Sequence, residues 1–179
     1  FLIVDEVHLI ATKILSQALS YVTPNFTLAL SATPTRSDGM DKIIHLYYGK
    51  DIIYKKLERK HTVFKIDTGF KPEYTFNNMG RMNWDSVLKA QATDIKRNEI
   101  IINIVKEFKD RFFLILCKRV VHVEHLVKRL QEEKIDVTCL VRSKVKYNLE
   151  SRVLIATIQK CGVGFDHPKL DSLILAADV

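Results

Sequence analysis

The stretch FLIVDEVH (residues 1–8) opens the chain with four apolar residues, followed by two acids, a valine and a histidine. A short apolar run rich in branched side chains predicts a strand that is buried on both faces. In a parallel α/β sheet, ligands bind beyond the carboxyl ends of the strands, which places Asp5 and Glu6 at the edge of a crevice. We therefore expect Asp5 to organise a Mg²⁺ ion and Glu6 to orient or deprotonate a water molecule.

Composition and charge narrow the class of protein. The chain has 179 residues, 47% of them apolar and 27% charged, which is ordinary for a globular protein that can bury a sizeable core. Its net charge of +7 favours a polyanionic partner, with nucleic acid the first candidate and an anionic membrane the second. No stretch approaches the roughly 20 apolar residues of a membrane span.

The three cysteines point to a reducing compartment. Cys117, Cys139 and Cys161 are widely spaced, odd in number and form no CxxC pair. We therefore expect reduced thiols that act as small apolar residues in an intracellular protein.

Hydrophobic periodicity predicts strands and helices that alternate in two blocks. Predicted strands after the first cover residues 26–30, 51–57, 61–67, 112–117, 137–141, 153–156 and 173–176. Predicted helices cover about 8–21, 40–48 and 120–133, with one short and one longer helix within 83–110. Residues 68–82 lose periodicity and are the best linker candidate. This order predicts an α/β protein of two units with mainly parallel sheets.

Short motifs along nearly the whole chain resemble those of superfamily 2 helicases. The tetrapeptide DEVH (residues 5–8) is similar to the DEAD/DEAH box, and SAT (residues 31–33) is similar to motif III. The run LSATPTRSDG (residues 30–39) resembles the branch of XPB-like helicases, type III restriction motors and poxvirus- and phage-type DNA helicases. Residues 112–119 resemble motif IV, and residues 156–157 with 164–168 resemble motif V.

The resemblance implies two RecA-like domains with mainly parallel sheets. Residues 1–78 would be the C-terminal part of the first, ATP-binding domain, residues 79–94 a linker region, and residues 95–179 the second domain. In the family a phosphate-binding glycine loop precedes the acidic box and motif VI follows the last strand, and this sequence contains neither. We therefore expect a fragment, truncated at the start of the first domain and the end of the second, that is inactive alone.

The resemblance also implies a site for ATP and Mg²⁺. Asp5 would hold Mg²⁺ through water, Glu6 would polarise the attacking water, and His8 would sense the γ-phosphate. The alternative for the two acids is a favourable charge at a helix N-terminus. The alternative for His8 is a plain polar residue in the first turn of that helix.

Further roles follow from motifs III, IV and V. Ser31, Ala32 and Thr33 would couple the ATP site to the nucleic acid, with a strand-end turn as the alternative. Gly164 and Asp166 would contact the nucleotide, with a tight turn as the alternative. The expected contacts to nucleic-acid phosphates are Lys118, Arg119 and Thr157. Val163 departs from the family, which usually has an acid there.

Some side chains are expected to have structural roles. Arg36 and Asp38 should form an ion pair or cap. Trp84 and Phe76 could stack on a base, but core packing is the preferred interpretation. A metal site at His122 and His125 is disfavoured, because no cysteine lies near them in the sequence.

The sequence therefore predicts the motor core of an ATP-dependent helicase or translocase. DNA is favoured over RNA as its substrate, because of the branch resemblance, and no membrane is expected. An RNA helicase and the translocating subunit of a restriction system remain open within the motors. An alternative of another class is a nucleic-acid-binding clamp with a decayed ATPase. The expected location is the cytoplasm, the nucleus or a viral replication site. No particular protein partner is indicated.

Overall fold

The computed structural model describes residues 1–12, 14–55, 60–76, 78–141, 147–161 and 165–177. Packing divides the chain into two compact units, Phe1–Thr62 and Val63–Val179, which are taken in turn below. The domain boundaries predicted at residues 78 and 94 stay a prediction. None of the helices in the described ranges is long and apolar enough to cross a membrane.

The first unit is a small parallel α/β arrangement. Its elements are β1 (Leu2–Val4), α1 (Val7–Ile10), α2 (Ser16–Leu19), β2 (Thr27–Ala29) and α3 (Asp41–Tyr48). The two strands pair in parallel, with Val4 opposite Ala29. The helix predicted over residues 8–21 is instead two single turns. Between them the Thr12 hydroxyl accepts the backbone N–H of Leu15 at 3.2 Å, a local bond that competes with continuous helix.

Two predictions for this unit are wrong. The strand β1 is not buried on both faces, because Val4 is buried whereas Ile3 is 61% exposed. Among the described residues its sheet has two strands, so packing protects one face only. The strands predicted at 51–57 and 61–67 are absent from the described parts of those ranges, where no neighbouring strand pairs with them. Residues 56 and 57 lie outside the described residues.

The second unit is a four-stranded parallel sheet with helices. Its elements are α4 (Trp84–Thr93), α5 (Ile95–Glu107), β3 (Phe113–Cys117), α6 (Val120–Glu132), β4 (Val137–Leu140), β5 (Val153–Thr157) and β6 (Ser172–Leu175). The strand order is β4-β5-β3-β6, and every pairing is parallel. The predicted α/β class and parallel sheets are therefore confirmed, and these elements match their predicted positions to within two residues.

The core of the second unit lies between the central strands and two helices. All five residues of β5 are buried, as expected for a central parallel strand. The apolar stripe of α6 contributes Val123, Leu126 and Leu130, each fully buried, and α5 contributes Ile102. Burying a large aliphatic side chain stabilises a fold by about 1.5–3 kcal/mol, so these contacts fix the helices on the sheet.

Two isoleucines of α5 test this packing. Ile102 is fully buried, so Ile102→Ala should lower the free energy of unfolding by about 2–5 kcal/mol through lost burial and a residual cavity. Ile95 begins the same helix but is 73% exposed, so Ile95→Ala should change stability by no more than about 0.5 kcal/mol. Urea unfolding followed by circular dichroism measures both. Equal effects of the two substitutions would contradict the described position of α5.

Candidate functional site

The carboxyl end of β1 places the two acids of the DEVH stretch at a sharp backbone turn. Asp5 is exposed, and its Oδ1 accepts the backbone N–H of Glu6 at 2.9 Å. Glu6 precedes α1 with φ 49° and ψ 46°, in the left-handed region. A residue other than glycine in this region costs about 1–3 kcal/mol, and such strain concentrates at functional sites. The turn presents both carboxylates beyond the end of the strand.

Parallel strand pairing brings the SAT stretch against this turn. The Leu30 N–H donates to the Val4 carbonyl at 2.9 Å, and the Val7 N–H donates to the Leu30 carbonyl at 3.0 Å. These two bonds continue the β1–β2 ladder past the ends of the strands. The residues that follow β2 are therefore fixed beside the start of α1.

His8 connects the acid pair to the SAT stretch. Its Nδ1 lies 2.9 Å from the Ser31 hydroxyl oxygen and 3.3 Å from Glu6 Oε2. The Ser31 oxygen also accepts the backbone N–H of Thr33 at 3.0 Å. With a proton on Nε2, the ring accepts the Ser31 hydrogen at Nδ1, whereas a proton on Nδ1 can be shared with Glu6. Either tautomer of His8 can therefore bond Ser31, and a proton on Nδ1 additionally allows a bond to Glu6.

Arg36 and Asp38 form the structural ion pair that the sequence predicts. The Arg36 guanidinium donates to both Asp38 oxygens, at 3.0 and 2.6 Å, and its Nη1 donates to the His8 carbonyl at 2.5 Å. The hydrogen bond from Arg36 lowers the pKa of Asp38 to about 2, so the carboxylate is ionised at neutral pH. Asp38 also accepts the backbone N–H of Met40. This pair ties the TPTRSDG loop to the helix that carries His8.

In the second unit, the residues predicted in motifs IV and V lie at one edge of the sheet. Cys117 and Thr157 end β3 and β5 and are opposite each other in the parallel ladder. The Ile158 N–H donates to the Cys117 carbonyl at 3.0 Å, which continues that pairing. Lys118 follows directly and is exposed, whereas Thr157 is buried. Lys118 and Thr157 therefore share the carboxyl edge of the sheet, where ligands of parallel sheets bind.

Two predicted nucleotide contacts belong to the loop after β5. Asp166 is exposed to solvent. Gly164, like Val163, lies outside the described residues. The nucleotide-binding role of this loop stays a prediction.

Arg119 has a carboxylate partner that sequence reasoning did not find. Its guanidinium forms an ion pair with Asp85, a residue in the first turn of α4. The two residues are 34 positions apart in the sequence, so no local pattern reveals the pair. Both side chains remain partly exposed, and a phosphate group could take the place of the Asp85 carboxylate.

A buried polar pair behind this edge was also missed. His122 Nε2 lies 2.8 Å from Asn98 Oδ1, and Asn98 Nδ2 donates to the Ala92 carbonyl at 3.0 Å, which links α6, α5 and α4. Burial lowers the pKa of His122 to about 4, helped by nearby Arg97 and His125. His122 precedes Leu126 and Leu130 at helical spacing, and this spacing was the available signal for burial. Among the described residues, no cluster of three His, Cys, Asp or Glu side chains could hold a metal ion.

None of the three cysteines, all of which lie in the described ranges, forms a disulfide. Cys117 and Cys161 are buried, and Cys139 is half-buried. Burial raises the pKa of Cys117 to about 12 and that of Cys161 to about 11. Both thiols therefore remain protonated at neutral pH and act as packing groups.

The preferred interpretation of Trp84 and Phe76 as core residues is wrong. Trp84 is 56% exposed and Phe76 is 64% exposed. The helix α4 packs through Val87 and Ala92, and Trp84 lies one turn before Val87, at the first residue of the helix. Its ring therefore falls outside the core.

Comparison with known proteins relates the chain to viral proteins named as helicases. It is 40% identical to "Putative helicase 161L" of Invertebrate iridescent virus 6, over 99% of this chain and 45% of that protein. It is 34% identical to "Putative helicase 055L" of Frog virus 3, over 99% of this chain and 42% of that protein. It is 22% identical to "Putative ATP-dependent RNA helicase L396" of Acanthamoeba polyphaga mimivirus, over 97% of this chain and 37% of that protein.

The chain is therefore similar to viral proteins named as helicases. The chain spans less than half the length of each of these relatives. No protein-family model matches the chain.

The buried His122 makes a prediction about stability and pH. Its pKa is about 4 in the fold, against about 6.5 in an unfolded chain. Between these two pH values the unfolded chain binds more protons than the folded chain, so the free energy of unfolding should fall as the pH drops from 6.5 to 4. Below pH 4, His122 should cause no further loss of stability. The urea midpoint measured across this range should show that fall. His122→Gln should remove the His122 part of it, whereas His125→Gln, at an exposed position, should keep most of it, because burial is the larger cause of the lowered His122 pKa.

Proposed function

We propose that this chain is the motor core of an ATP-dependent nucleic-acid helicase or translocase of superfamily 2. The observation that carries the proposal is the contact chain from Glu6 through His8 to Ser31, which joins the acidic box to the SAT stretch. The similarity to viral proteins named as helicases supports the same class.

The chemistry at the end of β1 suits nucleoside-triphosphate hydrolysis. Mg²⁺ prefers oxygen ligands and retains several waters, and the exposed Asp5 carboxylate offers a suitable outer contact. When bound, Mg²⁺ would neutralise charge on the phosphates of ATP. Glu6 would position and polarise the attacking water, because it closely follows the end of β1 and its carboxylate lies beside His8. By resemblance, Gly164 and Asp166 of the second domain would complete the nucleotide contacts when the domains close.

His8 and the SAT residues would couple this site to nucleic acid. A shift of the His8 proton from Nε2 to Nδ1 would reverse the direction of the bond with Ser31 and allow a bond to Glu6. Ser31 in turn holds the Thr33 backbone at 3.0 Å, so a change at His8 can alter the geometry of the SAT turn. Ala32, which lies between Ser31 and Thr33, adds no polar side-chain group to the turn. In this proposal, the state of the ATP site reaches the nucleic acid through that turn.

The second unit would supply contacts along the nucleic-acid backbone. Lys118 and Arg119 begin the loop after β3, and Thr157 ends the neighbouring strand. Phosphate contacts carry no base identity, which suits a motor that steps along any sequence. DNA is the favoured substrate through the branch resemblance. RNA is the alternative, and the name of the mimivirus relative as an RNA helicase is the observation that favours it.

The catalytic role proposed for Glu6 can be tested by substitution. Glu6→Gln keeps the shape of the side chain but removes its negative charge, so ATP turnover should fall by about 10²- to 10⁴-fold while ATP binding is largely kept. The measurements are phosphate release with and without nucleic acid, and binding of a fluorescent ATP analogue, in the full-length protein that contains this chain. Glu107→Gln, at an exposed site on α5, is the matched control and should leave turnover unchanged.

Two outcomes would overturn parts of the proposal. Normal turnover in Glu6→Gln would contradict the assigned role of Glu6. A wild-type protein that binds nucleic acid but does not hydrolyse ATP would instead favour a clamp with a decayed ATPase. The departure at Val163 in motif V is the observation in favour of that alternative.

A further inference from the structure

Three exposed aromatic residues lie close together in sequence at the start of α4. Trp84 is 56% exposed, Phe76 is 64% exposed and Tyr74 is 54% exposed. The rings of Tyr74 and Phe76 meet edge to face, with centroids 5.8 Å apart. We call Tyr74, Phe76 and Trp84 the aromatic ledge. Grouped exposure of large apolar rings is typical of a binding surface rather than of ordinary surface.

Hydrogen bonds hold the ledge in place. Phe76 and Met82 form an antiparallel bridge, and the Asn83 N–H donates to the Thr75 carbonyl at 2.7 Å. The Ser86 hydroxyl accepts the Thr75 N–H at 3.3 Å and donates to the Asn83 carbonyl at 2.7 Å. The segment before α4 is therefore fastened to the first turn of the helix. Because the backbone of this segment is already ordered, less conformational entropy is lost when a ligand binds.

The first turn of α4, which carries Trp84, contacts the basic loop at the carboxyl edge of the sheet. Asp85 follows Trp84 directly and forms the ion pair with Arg119, so the first turn of α4 lies against the start of α6. Lys118, the neighbour of Arg119, is exposed. Aromatic surface and positive charge therefore occur together in the second unit. This combination fits a polyanion with flat apolar faces, which describes single-stranded nucleic acid.

We propose that the aromatic ledge stacks on bases of single-stranded nucleic acid, with Trp84 as the main contact, while Lys118 and Arg119 hold the adjacent phosphates. The inference rests on the proposed function and adds to it a base-stacking site outside the helicase-like motifs. Bases in a duplex are stacked on one another and offer no free face, so the site selects single strands. Either DNA or RNA provides the required chemistry.

Trp84 is the single tryptophan of the chain, which provides a direct measurement. Tryptophan fluorescence is followed while 20-nucleotide oligothymidylate, oligouridylate or a blunt duplex is added to the protein, and Trp84→Phe gives the baseline. A single strand of either kind should quench the Trp84 signal, and the duplex should quench it much less. Trp84→Ala should weaken single-strand binding by about 5- to 150-fold, and Trp84→Phe should retain most of it.

Phe108→Ala and Lys109→Ala are the matched controls. Phe108 is 51% exposed, and both residues follow α5 at the opposite, amino edge of the sheet. Phe108→Ala should leave binding unchanged, and Lys118→Ala should weaken binding more than Lys109→Ala. Circular dichroism establishes that each variant is folded.

The outcomes separate this inference from the proposed function. One result would contradict the stacking site but not the proposed motor function. In that result, nucleic acid binds in a salt-sensitive way, the Trp84 fluorescence is not quenched, and Trp84→Ala binds with full affinity. Equal quenching by duplex and single strand would also overturn it. Failure of the wild-type protein to bind any nucleic acid would contradict the proposed function itself.

Discussion

The hydrogen bond between His8 and Ser31 is the contact that gives the first unit its functional meaning. It joins residues 23 positions apart, and it exists because β1 and β2 pair in parallel and their ladder continues through Val4, Val7 and Leu30. Without it, Asp5 and Glu6 would be two acids at the start of a helix. With it, the acid pair is connected to the SAT turn, which in our proposal responds to the state of a bound nucleotide.

The second unit depends on a different kind of contact, a buried polar pair within an apolar core. Asn98 and His122 satisfy each other and hold three helices together behind the carboxyl edge of the sheet. The ion pair of Arg119 with Asp85 then fixes the first turn of α4 at that edge. As a result, the exposed aromatic residues before and in α4 and the basic loop after β3 both belong to the second unit, and an ion pair links α4 to that loop.

The sequence predicted the fold best where apolar runs are long. The central strands β3 and β5, and the amphipathic helix α6, were predicted to within two residues because their patterns are unambiguous. Predictions were poorer in the first unit. Burial of β1 was overestimated, since an apolar run does not reveal how many strands flank it. The helix over residues 8–21 broke because a Thr12 side-chain bond replaced backbone pairing, which periodicity alone does not show.

The candidate site residues were named from motifs, and the residues that contact them were not. Asp5, Glu6, His8 and Ser31 could be named from their order in the chain, but the 2.9 Å contact required the folded strand pair. The partners Asp85 and Asn98 carry no motif, and only packing brings them to Arg119 and His122. Trp84 was misplaced because a helical spacing of apolar residues does not show where the core ends.

The most direct test of the link between the acidic box and the SAT turn is ATP turnover in Ser31→Ala, measured in the full-length protein with and without single-stranded nucleic acid. Removal of the hydroxyl leaves Asp5 and Glu6 in place but breaks the contact with His8. We predict that nucleic acid raises wild-type turnover severalfold, and that Ser31→Ala keeps the basal rate but loses this stimulation. Equal stimulation of the two proteins would contradict the proposed coupling through His8 and Ser31.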